Sequence, residues 1–285
     1  MQFSRPRMLF WASTFFLAVT FISTLAKYSP AQGQTQATGV QQKLTDEEKK
    51  NFLLTANIIN SKQSSKGVTR PYTLTLSDGK LTHDAGFQSV DIFSNQQHMD
   101  DGTTEINFRD TYHYNIAAYE LAKLLGLESM MPVTVERKYK GKPGSLSWWL
   151  DVQMDEGERL KKGIHTPDAE AWNRQMFRKR VFTELVYDVD PNLTNALIGN
   201  NWELYMIDFT RAFRLQENLA RPNDLVRCDR QLLEKLRQLD AAEIERVTKP
   251  HLEKSRIKAL MKRRDKIVAY FEQQIAQKGE SEILF

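Results

Sequence analysis

One cysteine, Cys228, stands in a chain of 285 residues. That excludes an intramolecular disulfide and any metal site built on several thiolates. No histidine lies near Cys228 in sequence, so it reads as a small buried apolar residue rather than a nucleophile. Charge of one sign is also scarce. The formal net charge is +4, and basic residues gather only mildly toward the C-terminus, at Lys258, Lys262, Arg263 and Arg264. A nucleic-acid interface needs a denser basic face interleaved with aromatic rings, so nucleic acid is not an expected partner. No Ser-His-Asp or zinc signature occurs, and no internal repeat. What the chain does have is 41% hydrophobic and 27% charged residues, enough for a folded core rather than a disordered chain.

The N-terminus reads as a targeting segment. Arg5 and Arg7 precede an uncharged run from Met8 to Ala26, which Lys27 interrupts. Small residues at Thr24 and Ala26, or at Ser29 and Ala31, have the spacing of a cleavage site. The run is also about long enough to span a bilayer. Residues 1–31 are therefore expected to be a cleaved signal peptide or a membrane anchor. Positive charge stays cytoplasmic, so either places the folded part outside the inner membrane, periplasmic or extracellular, or tethered through residues 8–26. Residues 32–44 have the composition of a flexible linker.

Order is expected from Thr45, whose hydroxyl and Glu48 form a capping box for a helix carrying Phe52, Leu53 and Leu54. Strands and turns follow to about Val90. Tyr72, Leu74 and Leu76 alternate with Thr73, Thr75 and Ser77, Asp78-Gly79 signals a hairpin turn, and a further strand runs through Ala85 and Phe87. Residues 94–105 are polar and turn-rich and read as a mobile insertion. Asp110 to Leu125 has helical spacing, with Gly126 as its C-cap. Pro132–Arg137 and Ser145–Trp149 read as strands joined through Gly141-Lys142-Pro143-Gly144. A helix from Pro167 to Tyr187 comes next, and beyond Phe213 the chain is mostly helical, with amphipathic stretches at Asp229–Leu239 and Lys254–Gln277.

The helix ending at Tyr187 leads into the most informative stretch. Asp190 is followed by Asn195 and, thirteen residues later, by Asp208. The apolar segments between them read as two short strands around Gly199-Asn200-Asn201. Such a hairpin returns Asp208 to the neighbourhood of Asp190 and Asn195. A carboxylate for an attacking hydroxyl, with an amide and a carboxylate for a metal, is what phosphoryl transfer requires. The alternative reading is a surface hairpin with capping Asp and Asn residues.

A strand-rich first half with one main helix, then a helical second half opened by this hairpin, is the layout of a two-lobed kinase. The text resembles the atypical protein-kinase-like superfamily, in the branch of phosphatidylinositol kinases, persistence-toxin kinases and secretory-pathway kinases. That branch carries D-R-[HN]-x-x-N and I-D-[FH]-G-x-x-F; here stand Asp190-Pro191-Asn192-Leu193-Thr194-Asn195 and Ile207-Asp208-Phe209-Thr210-Arg211-Ala212-Phe213. Ala117 to Leu127 and Pro132 to Val135 also look like that branch's helix and following strand. The resemblance implies an exported bacterial member with a kinase-like N-lobe over residues 45–149 and a C-lobe over residues 150–285. It implies Asp190 as the catalytic base, Asn195 and Asp208 as ligands of Mg²⁺ or Mn²⁺, and ATP as donor.

The departures bear on activity. The family's phosphate-gripping Lys falls at Gln88 and its partner Glu at Asn115, so an expected ion pair becomes two neutral amides able to hydrogen-bond. Lys66, beside Gly67, could supply a cation to the phosphates, or be an exposed loop lysine. Thr210 and Pro191 replace a Gly and an Arg. Glu120 is expected to pair with Lys123. Trp148 and Trp149 border a nucleotide pocket or pack in the core, and His83 with Asp84 reads as a surface pair rather than a metal site. Arg211 and Arg214 could hold a phosphate, or pair with Asp208 and Glu203. The expected function is phosphate transfer from a nucleotide to an unknown protein or small-molecule hydroxyl. The alternatives are a pseudokinase that binds a nucleotide, other phosphorylated ligand or protein without chemistry, and an envelope scaffold.

Overall fold

The computed structural model describes residues 44–64, 71–99, 102 and 104–285. The expected signal or anchor, nearly all of the linker, and Lys66 and Gly67 lie outside the described residues. No helix among the described residues is long and apolar enough to cross a membrane.

Helix α1 (Asp46–Thr55) starts at the expected capping box: the Glu48 N–H donates to Thr45 Oγ1 at 3.2 Å, and the Glu48 carboxylate accepts the Thr45 N–H at 2.7 Å. Strands β1 (Asn57–Gln63), β2 (Tyr72–Ser77) and β3 (Thr82–Gln88) follow. The turn between β2 and β3 is the one foreseen, with Gly79 at φ 88° and Asp78 Oδ1 accepting the N–H groups of Lys80 and Leu81. Of the stretch expected as a mobile insertion, residues 94–98 and 104–105 are regular: they belong to an antiparallel ribbon of β4 (Asp91–His98) and β5 (Thr104–Thr111), a sheet of its own among the described residues. Both faces of β4 are largely exposed, so no apolar alternation marks it in the sequence. Because Asp110 and Thr111 pair with Ile92 and Asp91, helix α2 (His113–Leu125) begins three residues later than its spacing suggests.

Strands β6 (Thr134–Tyr139) and β7 (Lys142–Trp148) complete a five-stranded antiparallel sheet in the order β1-β2-β3-β7-β6. Their turn is tighter than expected: Lys140 and Gly141, at φ 49° and 78°, make it, and Lys142-Pro143-Gly144 already belongs to β7. A Cβ on Gly144 would run into the Gln88 carbonyl oxygen, so glycine lets β7 lie close to the end of β3. Leu74, Leu76, Ala85, Phe87, Val135 and Leu146 form one core with α1 and with Ala117, Ala118 and Leu121 of α2. Gly126, in the left-handed conformation at φ 69°, ends α2 as foreseen, and Glu120 pairs with Lys123 at 2.6 Å.

The chain then forms β8 (Val152–Asp155), α3 (Glu156–Lys161), α4 (Ala169–Leu185), β9 (Ala196–Gly199) and β10 (Leu204–Met206). β10, β9 and β8 make a three-stranded antiparallel sheet. Helices α5 (Arg230–Gln238), α6 (Ala241–Thr248), α7 (Lys254–Lys278) and α8 (Glu280–Ile283) finish the fold. Cys228 is fully buried, and burial pushes its thiol up to about 12, which disfavours the thiolate.

His251, between α6 and α7, meets the first residue of α2: its Nδ1 lies 2.8 Å from Nδ1 of His113. A hydrogen bond between two such nitrogens requires one of them unprotonated. Burial, and then the charge of His113, lowers the pKa of His251 below its ordinary value. Its contribution to stability is therefore full above the unfolded pKa near 6.5 and is lost as pH falls toward the lower folded value. Between pH 7.5 and 5 the melting temperature of wild type should fall relative to that of His251→Gln. Parallel profiles for the two proteins would refute the coupling.

Candidate functional site

A single hairpin separates Asn195 from Asp208 in the chain. β9 and β10 pair from Ile198–Leu204 to Ala196–Met206, and the Ile207 N–H then donates to the Asn195 carbonyl at 3.1 Å. The ladder thus closes on Asn195 and leaves Asp208 as the next residue of the returning strand. Asp208 has φ 59°, a left-handed conformation that Asp and Asn tolerate better than other side chains. On the incoming side, Asn195 Nδ2 donates to the Asp190 carbonyl at 3.3 Å, and its amide oxygen has no hydrogen-bond partner among the described residues. Asn192 Nδ2 donates to Asp190 Oδ1 at 3.3 Å and orients that exposed carboxylate.

Asp208 faces a cleft of about 370 Å³, a size suited to a small-molecule ligand. Gln88, Asn115 and Ser145 form its polar end with Asp208, while Trp148, Met131 and Met206 contribute to its apolar wall. His83 stacks on Trp148 at 3.8 Å and contacts the Trp149 carbonyl through Nε2 at 3.0 Å, so it braces the wall rather than binding metal. Asp190 and Asn195 do not line this cleft.

Gln88 and Asn115, the neutral amides at the expected Lys and Glu places, stand side by side. Asn115 Nδ2 donates to Gln88 Oε1 at 2.5 Å and contacts Ser145 Oγ at 3.2 Å, while Asn115 Oδ1 accepts the Phe209 N–H at 2.7 Å. Asn115, buried at the start of α2, therefore joins β3, β7 and the residue after Asp208. A glutamate there would keep the acceptor and lose both donations. Asn115→Glu should cost about 3 kcal/mol as an unpaired buried charge. Gln88→Lys should lose about 1–3 kcal/mol by taking the acceptor from Asn115. Together they rebuild an ion pair, so the double variant should recover much of the loss in urea denaturation. Additive losses would refute the coupling.

Electrostatics reveal residues that sequence reasoning missed. Asp110, at the end of β5, is coupled to both Asp208 and Asp190. Burial raises its pKa, and its Oδ1 is buried with no hydrogen-bond partner among the described residues. Asp208 is reached through the cleft, yet the surrounding protein strips enough water to raise its pKa too. Asp110 and Asp190 add to that rise, while hydrogen bonds from Thr210 and Gln88 oppose it. Thr210 Oγ1 donates to Asp208 Oδ1 at 3.2 Å, a role glycine could not fill. Asp188 is the first carboxylate of the Asp188-Val189-Asp190 run; its Oδ1 accepts the Asp190 N–H at 3.0 Å. Burial pushes its pKa to about 6, against the pull of that bond and of buried Lys179. The Asp188 signal was present in the sequence; Asp110 had none, because a non-local strand pairing delivers it.

Asp190 close enough to Asp110 and Asp208 to raise both their pKa values, a buried Asp110 oxygen without a hydrogen-bond partner among the described residues, and the amide oxygen of Asn195 form a donor set that fits a hard divalent cation. Three carboxylates or histidines do not converge on one point among the described residues, so such an ion would rely on Asn195 as well. Arg211 and Arg214 pair with neither Asp208 nor Glu203. Both bind Glu105 of β5, at 2.6 and 2.5 Å, because the ribbon folds back over the segment after Asp208.

The strand-rich sheet with one main helix, the helical second half and the hairpin between them define an atypical kinase-like α+β fold. Solved structures of that kind superpose on the chain. A hydra Fam20 protein with sugar matches at TM-score 0.62 and 13% identity, covering 84% of this chain and 91% of its own. The Golgi casein kinase with Mn/ADP bound matches at TM-score 0.59 and 12% identity, covering 84% and 78%. The Helicobacter pylori proinflammatory kinase CtkA matches at TM-score 0.50 and 11% identity, covering 79% and 98%. No protein-family model and no curated protein matches the chain by sequence.

Proposed function

We propose that this protein binds a nucleotide with a divalent cation in the cleft and transfers its terminal phosphoryl group to a hydroxyl acceptor. The observation that carries the reading is the hairpin closed by the Ile207 N–H on the Asn195 carbonyl, one residue before Asp208, with Asn195 Nδ2 on the Asp190 carbonyl. Asp190, exposed and oriented by Asn192, accepts the acceptor's proton as the hydroxyl attacks. Asp188 holds the backbone of that loop, and Asn115 holds the backbone beyond Asp208. Asn195 and Asp208 would hold Mg²⁺ or Mn²⁺, which neutralises charge on the phosphate oxygens when bound. The Mn/ADP complex of the similarly folded Golgi casein kinase supports that choice of ligand. The test is ³²P transfer from ATP with Mg²⁺ or Mn²⁺ to a panel of protein and glycan acceptors, together with nucleotide-dependent thermal shifts. Neither transfer nor a thermal shift would end this reading.

One observation favours a second reading, binding without chemistry. No Lys or Arg lines the cleft among the described residues, and the Gln88–Asn115 pair is uncharged. A phosphate chain held there lacks a charge-assisted grip from that wall. A thermal shift without transfer would select this reading.

A further inference from the structure

A second cavity, of about 420 Å³, shares no lining residue with the cleft, yet it borders the same machinery. Tyr187 and Val189, in the run leading to Asp190, form part of its wall; Arg211 and Arg214, just beyond Asp208, form another. Both guanidinium groups lie over the Phe108 ring, at 5.2 and 5.8 Å, which fixes them next to each other. Arg256 adds a third positive charge to the lining, but Phe213 O and Glu253 already engage it, at 2.7 and 2.9 Å.

The pair is short of acceptors. The Arg214 side chain is only 4% exposed, yet its Nε and Nη1 have no hydrogen-bond partner among the described residues. Its Nη2 touches Glu105 at 2.5 Å as an ion pair without hydrogen-bond alignment. Arg211 Nε is likewise buried and unpartnered among the described residues. Asp110 interacts with both guanidiniums through space and so steadies their charge. Guanidinium is a fork of five donors, and leaving buried donors unmade costs free energy that a fitting oxyanion recovers. Among the described residues, Glu105 is the one carboxylate that bridges the two arginines. It comes from the β4–β5 ribbon, which pairs with no other strand among the described residues.

We propose that Arg211 and Arg214 form an oxyanion subsite for the acceptor, in which a phosphate or carboxylate group displaces Glu105. An anion anchored there would hold the acceptor next to the loop that presents Asp190, converting binding into orientation of the attacking hydroxyl. Glu105 acts as an internal competitor, which lowers apparent affinity by the fraction of molecules in which the site is free. The acceptor role rests on the phosphotransfer reading; the anion site does not.

The test therefore uses binding alone, with no nucleotide: inorganic phosphate and acetate are titrated into the full chain at constant ionic strength, with chloride as control, and followed by calorimetry and ³¹P line width. Glu105→Gln should bind phosphate or acetate at least tenfold more tightly than wild type, and adding Arg211→Gln should abolish the gain. A response to phosphate alone assigns a phosphomonoester group, and one to acetate alone a carboxylate. No gain in Glu105→Gln, or a gain that survives Arg211→Gln, overturns the proposal. Should Glu105→Gln fail to fold, Arg211→Gln in the otherwise native chain should still remove the ³¹P broadening, and persistence of that broadening overturns it equally. Loss of phosphotransfer with intact anion binding would sink only the catalytic reading.

Discussion

Asp208→Asn should abolish metal-dependent nucleotide stabilisation and phosphate transfer together, while leaving the apo protein at least as stable as wild type. Asparagine is the right replacement because position 208 sits at φ 59°, which alanine would occupy under strain. Burial and the nearby charges of Asp110 and Asp190 raise the pKa of Asp208, so its ionised form is a cost to the empty fold. Folded-state stability from this group falls as pH climbs through the carboxylate range, and the amide removes that fall. Wild type at a nucleotide concentration 100 times its dissociation constant should gain about 2.7 kcal/mol, and the variant nothing. Transfer should drop on the order of 10³-fold, the scale of losing one preorganised electrostatic contact. Asp190→Ala divides the phenotype. It should lose roughly 10²–10⁴-fold in transfer as a missing base and keep the thermal shift. A wild-type-sized shift in Asp208→Asn would show that the ligand is held elsewhere.

Arg263→Ala should be the most destabilising single change in the second half of the chain. This arginine of α7 is wholly buried. Its Nε donates to Leu185 O at 2.8 Å and its Nη1 to Arg214 O at 3.0 Å and to Gln216 O. It also lies over the Tyr187 ring at 5.5 Å. Desolvation lowers its pKa to about 10, so it remains charged at neutral pH. One side chain thus fastens the stretch entering the Asp190 loop to the stretch leaving Asp208. Removing it orphans buried carbonyls, at about 1–3 kcal/mol each, and opens a cavity besides. The expected loss is at least about 4 kcal/mol in urea denaturation, and Arg263→Lys should recover part of it. A loss below about 1 kcal/mol would show that these carbonyls find other donors.

What the sequence made legible was local. The Thr45 capping box, the Asp78-Gly79 turn and the Gly126 cap each depend on residues within a few positions of one another, so their chemistry can be read along the chain. The Gln88–Asn115 contact spans 27 residues and was reached only by position within a resemblance. The β4–β5 ribbon was missed because neither face of β4 packs on a core, which erases the period that marks a strand. Asp110 went unread as part of the site for the same reason: its place depends on that ribbon. The partner of Arg211 lies 106 residues away in Glu105, a distance at which sequence spacing carries no pairing information.

The amide pair between Gln88 and Asn115 has a consequence for the medium the protein can work in. An ion pair at that point would couple the placement of α2 to dissolved salt wherever its charges remain open to solvent, since exposed charges are screened within about 8 Å at physiological ionic strength. Two amides carry no net charge for counterions to compete with. The hydrogen bonds that seat α2 against β3 and Phe209 thereby offer dissolved salt no net charge to screen.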